Sequence, residues 1–309
     1  MRVATIDIGT NAVLLLVAEL RPDGSMAALV ERATITRLGQ GVDGSRMLAP
    51  DAVSRTTACL ESYASLLREL NVDRIAIVGT SAMRDAGGAE GLRASIRALF
   101  GVEVRILSGA EEARLTFAGG LDGLQVPATT EVALFDIGGG STEVVLGRLG
   151  GPALSYVQSF DVGSVRLTER HVYNDPPTSA ELTSLAASAS AAFAAVPPLR
   201  GGEIPVGVAG TVTTLAAIAF SVVPYEGARV HGTVLQREQL REVVQALAAI
   251  DFVSRRNVPG MEPNRADVIV AGGTIALALL DHWQAPAVRV SDRGLRWGLG
   301  HELLLAPRA

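Results

Sequence analysis

One stretch constrains this chain more than any other: residues 132–145, VALFDIGGGSTEVV. An apolar run ends at Asp136, three glycines follow, then Ser141, Thr142 and Glu143, and a second apolar run begins at Val144. The order predicts strand, tight glycine loop, strand. Glycine lets backbone N–H groups turn toward a bound anion with no Cβ in the way. Ser141 and Thr142 add hydroxyl donors, and Asp136 and Glu143 are hard oxygen ligands suited to Mg²⁺. A helix after the loop would point to a dinucleotide fold, but here a strand follows. An ordinary glycine-rich hairpin gives the same pattern, so this motif alone leaves both readings open.

The chain holds a weaker copy. Residues 3–11, VATIDIGTN, again run from apolar positions into Asp7, Gly9 and Thr10, and residues 13–18 resume the apolar run. Two Asp-Ile-Gly hairpins imply two related halves facing a shared cleft. The pairing resembles the actin-like ATPase superfamily, which implies phosphates bound between two duplicated domains.

A chain of 309 residues is long enough for two domains with their own cores. Hydrophobic content of 48% excludes a disordered protein. The net charge of −5 argues against a general nucleic-acid binder, although a local basic groove stays open. All 27 basic residues are arginine. Without lysine there is no Walker-type phosphate loop, no Schiff base and no pyridoxal chemistry. Any phosphate must be held by arginine, backbone amides, hydroxyls or metal. The single cysteine, Cys59, can form no internal disulfide and fits a reducing compartment, so a cytoplasmic location is expected. Asp7 interrupts the first apolar run too early for a signal peptide. Residues 207–225 carry no charge, yet their Gly, Thr and Pro content reads as strand, loop and buried helix and not as a membrane span. The four histidines are far apart with no ligand spacing, which speaks against a zinc centre.

Elsewhere, residues 50–70 have helical apolar spacing, and residues 74–78 form a short buried strand leading into GTSAMRDA (79–86). Ligands of α/β sheets collect at such strand ends. In SGAEEARL (108–115), Ser108 and Glu111 have capping-box spacing. Glu112 lacks that duty: it either faces a cleft or is a second acid favoured by the helix dipole. Gly210 and Thr211 could offer amides to an anion at a helix start. Residues 266–280, with Gly272 and Gly273, read as strand, glycine turn and helix. A junction over residues 121–130 gives domains 1–126 and 127–309, with the last helix free to pack back on the first domain.

The set DIGTN (7–11), TRLGQGVD (36–43), TSAMRDA (80–86), SGAEEARL (108–115), DIGGGSTE (136–143), VGSVRLTER (162–170), DPPT (175–178), AGT (209–211), ADVIVAGG (266–273) and SDRGLRWG (291–298) spans nearly the whole chain. In that order it resembles the exopolyphosphatase / guanosine pentaphosphate phosphatase family. The resemblance implies an α/β, actin-like ATPase (ribonuclease H-like) duplicated two-domain fold with a central cleft. By position it implies Glu112 as the base that activates water and Arg84 as a phosphate clamp. It implies Asp136, Glu143 and Asp7 as the residues of a Mg²⁺ or Mn²⁺ site. Thr10, Asn11, Gly138, Gly139, Ser141, Gly210 and Thr211 are implied phosphate contacts. Ala12 stands where the family often has serine, which removes one hydroxyl. The chain ends at Ala309, and so resembles the short form without a further helical HD-type region.

The expected reaction is hydrolysis of a terminal phosphoanhydride in inorganic polyphosphate or pppGpp, with no nucleic-acid or membrane partner and a homodimer left open. A phosphotransferase with a nucleotide acceptor and a catalytically weak alarmone-binding regulator are the alternatives. Arg255, Arg256, Arg265, Arg293 and Arg296 are expected to line only a limited groove. A preference for short polyphosphates follows, because electrostatic retention grows with the number of contacts.

Overall fold

The computed structural model describes residues 1–21, 25–127, 129–148, 151 and 154–305. It divides into two compact units. The first is Met1–Gly119 with Leu295–Ala309, and the second is Gly120–Gly294. Ala128, within the expected junction, lies outside the described residues.

In the first unit, β1 (Arg2–Ile8), β2 (Ala12–Leu20), β3 (Met26–Ile35), β4 (Arg74–Gly79) and β5 (Arg105–Ile106) form one sheet in the order β3-β2-β1-β4-β5. The β1–β2–β3 meander is antiparallel, while β4 and β5 run parallel to β1. Alternation along the central strands sorts side chains to two faces. Ala4, Ile6 and Ile8 with Val13, Leu15 and Val17 join Leu60, Tyr63 and Leu67 of the Pro50–Glu69 helix in one core. The intervening Val3, Leu16 and Ala18 pack against Met26 and Trp297, so the Leu295–Leu305 helix covers the opposite face. Thr5 on that face donates its hydroxyl to the Arg296 carbonyl at 2.9 Å. A one-residue slip of β1 would exchange the two faces, and this fixes the register.

The second unit repeats the plan. Its strands are β6 (Glu131–Ile137), β7 (Thr142–Arg148), β8 (Tyr156–Phe160), β9 (Ile204–Val208), β10 (Val234–Gln236) and β11 (Ala287–Val290). They form a sheet in the order β10-β11-β9-β6-β7-β8. Again an antiparallel meander, β6–β7–β8, is followed by parallel neighbours β9 and β11. The mapping β1/β6, β2/β7, β3/β8, β4/β9 and β5/β11 preserves order and direction throughout. This is the duplicated actin-like, ribonuclease H-like α/β fold.

One expectation is corrected. Residues 266–268 form no strand; a turn leads into a helix, Ile269–His282, with Gly272 and Gly273 inside it. Val268–Ala271 is a continuous apolar run, and such a run has no period to separate a buried strand from a buried helix. The helix is buried almost all round. Its glycines act by their lack of bulk: a Cβ on Gly272 would lie 2.5 Å from Thr211 Cγ2, and one on Gly273 would strike Val244. The uncharged stretch around residues 207–219 is β9 followed by the Ala209–Ala219 helix. No helix among the described residues is long and apolar enough to cross a membrane.

Candidate functional site

The two glycine hairpins have the same geometry. In the first unit Gly9 N–H donates to the Ala12 carbonyl at 3.0 Å, and in the second Gly138 N–H donates to the Ser141 carbonyl at 3.0 Å. Register pairs bracket each loop equivalently, Ile8 with Val13 and Ile137 with Thr142. The next pair differs. Asp7 lies opposite Leu14, whereas Asp136 lies opposite Glu143. The duplication therefore keeps one carboxylate in the first unit and places two side by side in the second.

In each unit the chain leaving the third strand passes behind the loop and takes its carbonyls. Thr36 and Arg37 N–H groups donate to Asn11 O at 3.1 and 2.9 Å, and Gly39 N–H donates to Thr10 O at 2.8 Å. In the second unit Ser164 N–H donates to Gly138 O at 2.9 Å, and Val165 and Arg166 N–H groups donate to Gly139 O at 2.9 and 3.1 Å. Thr142 Oγ1 donates to Val162 O at 2.6 Å. A backbone whose carbonyls are drawn to one side leaves its amides to the other, which is the requirement for an anion cradle. Thr10, Asn11, Gly139 and Ser141 are buried, and Gly138 is half-buried.

Asp136 and Glu143 are adjacent cross-strand side chains on one sheet face. Glu143 is 1% exposed and accepts the Ser159 hydroxyl at 2.7 Å, which orients it. Among the described residues no group of three or more His, Cys, Asp or Glu is arranged to hold a metal ion. Mg²⁺ is ordinarily held by one or two carboxylates together with water and substrate phosphates, so a two-carboxylate donor set fits it and does not fit an all-protein cage. Asp7, 8% exposed, belongs to the first unit.

β9 ends at Val208 and the Ala209–Ala219 helix starts at once. Thr211 Oγ1 donates to Ile137 O at 3.2 Å, so this helix start is tied to the glycine hairpin. Ala209 has φ +68°, a left-handed conformation that costs a non-glycine residue about 1 kcal/mol or more. Such strain gathers at functional turns. The guanidinium of Arg265 rests directly on Gly210, with no room there for a Cβ. Burial pulls the Arg265 pKa below the ordinary arginine value, with Glu262 and Tyr225 opposing.

The first unit holds the other constellation. Ser108 and Glu111 make the expected capping box: Ser108 N–H and Oγ–H donate to Glu111 Oε2 at 2.9 and 2.7 Å, and Glu111 N–H donates to Ser108 Oγ at 3.3 Å. Those bonds hold the Glu111 carboxyl below the usual range. Glu112 has no part in the cap and is 8% exposed. Arg84, on the Ser81–Asp85 helix past the end of β4, donates from Nη1 to Glu112 Oε2 at 3.3 Å and to Leu107 O at 3.1 Å. Its Nε donates to Asp85 Oδ1 at 3.2 Å, and Ser81 Oγ donates to Asp85 Oδ2 at 3.1 Å. Asp85 therefore braces Arg84 from the other side, a part that its place in TSAMRDA did not reveal.

The expected arginine groove is largely committed elsewhere. Arg255 is 3% exposed and bonds Asp175 and the carbonyls of Ile250 and Ala266. Arg293 pairs with Asp122 at 2.7 Å, Arg296 with Glu31 at 2.7 Å, and Arg256 lies over the Phe252 ring. Arginine forks satisfy internal carboxylates and carbonyls as readily as ligands, and a count of arginines cannot separate the two uses.

A duplicated α/β fold with paired carboxylates at one glycine hairpin and an arginine–glutamate pair in the other unit defines a phosphate-handling enzyme of the actin-like class. The sequence matches the Ppx/GppA phosphatase family over residues 16–306, and the chain belongs to that family of hydrolases. Exopolyphosphatase 2 of Mycobacterium tuberculosis is 39% identical over 285 residues, covering 89% of this chain and 88% of that protein. Exopolyphosphatase 1 of the same organism is 29% identical, covering 97% and 87%. A crystal structure of the Aquifex aeolicus Ppx/GppA family member superposes with a TM-score of 0.82 at 34% identity, covering 99% and 98% of the two chains. An exopolyphosphatase from Cytophaga hutchinsonii superposes at 0.87 with 25% identity, covering 98% of each.

Proposed function

We propose that this chain releases terminal phosphate from inorganic polyphosphate, or from a compact polyphosphorylated nucleotide such as pppGpp, by attack of water on a phosphoanhydride bond. The observation that carries the reading is the backbone at residues 138–140, whose carbonyls are bonded from behind while Asp136 and Glu143 stand beside it as a pair. The amides of Gly139, Gly140 and Ser141 with the Ser141 hydroxyl, and the Ala209–Ala219 helix start with Gly210, Thr211 and Arg265, bind phosphate oxygens, while the Gly138 amide is spent on the Ser141 carbonyl and closes the loop. Thr10 and Asn11 offer the corresponding loop of the first unit. Asp136 and Glu143 in the second unit, and Asp7 at the matching strand end of the first, are the carboxylates that would hold Mg²⁺ or Mn²⁺, which when bound neutralises charge on the phosphates.

Glu112 accepts the proton of the attacking water. Its neighbour Arg84 pairs with that carboxylate at 3.3 Å and sets positive charge beside the transferred group, whose charge spreads over its equatorial oxygens as the bond breaks. The net charge of −5 favours short chains or a compact substrate over long polyphosphate. The test is phosphate release from polyphosphates of defined length and from pppGpp, with and without Mg²⁺. Release from none of them, or binding of the nucleotide without turnover, overturns the reading.

A further inference from the structure

Arg166 is a buried cation with no part in the scheme above. It is 6% exposed, on the Ser164–His171 helix behind the glycine hairpin of the second unit. Its Nε donates to Gly140 O at 2.7 Å, and its Nη2 lies 3.9 Å from Asp161, an exposed carboxylate. The other carbonyls of the hairpin are taken by backbone amides of the same helix start, Gly138 O by Ser164 and Gly139 O by Val165 and Arg166. Those amides reach no further than Gly139. Gly140 is the last carbonyl before Ser141, and a side chain must reach back to it. The approach is close: a Cβ on Gly163 would collide with the Gly139 carbonyl. The equivalent strap in the first unit bonds Thr10 O and Asn11 O through backbone amides.

We infer that Arg166 is a positioning residue for phosphate binding: its Nε–H fixes the Gly140 carbonyl behind the loop and so aims the following amide at the bound phosphate. The inference rests on the phosphate-loop reading above. It assigns the work to one N–H at one place and not to the positive charge. Two substitutions separate these. In Arg166→Gln the side-chain amide nitrogen falls where Nε was, with no charge. In Arg166→Lys the charge remains, but a methylene stands where Nε was.

The experiment measures tripolyphosphate binding by calorimetry and kcat and KM for its hydrolysis in wild type, R166Q, R166K and R166M. Melting temperatures are recorded beside them. The expected order is R166Q within about threefold of wild type, with R166K and R166M weaker by roughly tenfold or more in binding and in KM, because a buried carbonyl loses its donor. Retention in R166K with loss in R166Q would show a charge effect and overturn the inference. So would equal retention in both or equal loss in both. If R166M does not fold, the R166Q and R166K pair decides. A wild type that binds no tripolyphosphate overturns the phosphate-loop reading and the inference with it, whereas a wild type that binds but does not hydrolyse overturns only the proposed reaction.

Discussion

Arg84 Nη1 lies 3.3 Å from the Glu112 carboxylate, while its Nε is held 3.2 Å from Asp85. One guanidinium thus joins the candidate base to a second carboxylate that fixes its direction. Next to it, Glu111 is occupied by Ser108. Two adjacent glutamates have been given separate duties, one at the helix cap and one beside a cation.

That division predicts opposite outcomes for neighbouring substitutions. Glu112→Gln should keep substrate affinity and lose roughly 10²- to 10⁴-fold in kcat, the usual range for a missing general base. Glu111→Gln should leave kcat near wild type and lower the melting temperature slightly, through the weakened cap. The sign of the pH effect follows from the lowered Glu111 pKa. Its stabilisation is complete above the ordinary carboxylate value of about 4.3 and is lost as pH falls toward the depressed folded value. Thermal melts from pH 3 to 7 should therefore converge for wild type and Glu111→Gln at the acid end.

Asp85→Asn removes the charge that braces Arg84. The expected result is a rise in KM of roughly three- to tenfold with a smaller change in kcat, because a partly buried ion pair is worth about 1 kcal/mol in positioning. Steady-state kinetics on tripolyphosphate check it, and an unchanged KM removes Asp85 from the account.

Activity should require a divalent cation. Asp136→Asn and Glu143→Gln should each weaken Mg²⁺ dependence, and the double variant should abolish turnover. The register pairing of the two residues motivates this. Full activity of wild type in excess chelator would contradict it.

Ala209, at φ +68°, should tolerate glycine better than a helix start ordinarily does. Ala209→Gly should hold or raise the melting temperature, since relief of the left-handed penalty, about 1 kcal/mol, offsets the added freedom of the unfolded chain. A clear fall in melting temperature would show that the turn is unstrained.

The sequence made the two hairpins legible because strand, glycine loop and strand follow from local pattern, and the repeat of Asp-Ile-Gly announced the duplication. The capping box at Ser108 and Glu111 was legible for the same reason: it needs only a spacing of three. The sequence does not separate the Ile269–His282 helix from a buried strand, because an apolar run buried on all sides has no period. The roles of Asp85 and Arg166 were hidden for another reason. Arg166 reaches Gly140 across 26 residues of chain, and Asp85, although next to Arg84 in sequence, meets its guanidinium only because the short Ser81–Asp85 helix turns the two side chains together. The internal partners of Arg255, Arg293 and Arg296 were hidden similarly, since they lie far away in sequence.

In the proposed reaction water, and not a second phosphate acceptor, attacks the terminal phosphoanhydride with Glu112 as base. The most direct measurement is turnover of tripolyphosphate in ¹⁸O-water with Mg²⁺ and ADP both present, followed by mass spectrometry of the products. The account predicts one ¹⁸O atom in each phosphate released, no ATP formed, and loss of both release and label in Glu112→Gln. Phosphate recovered on ADP, or labelled phosphate released at the wild-type rate by Glu112→Gln, would contradict it.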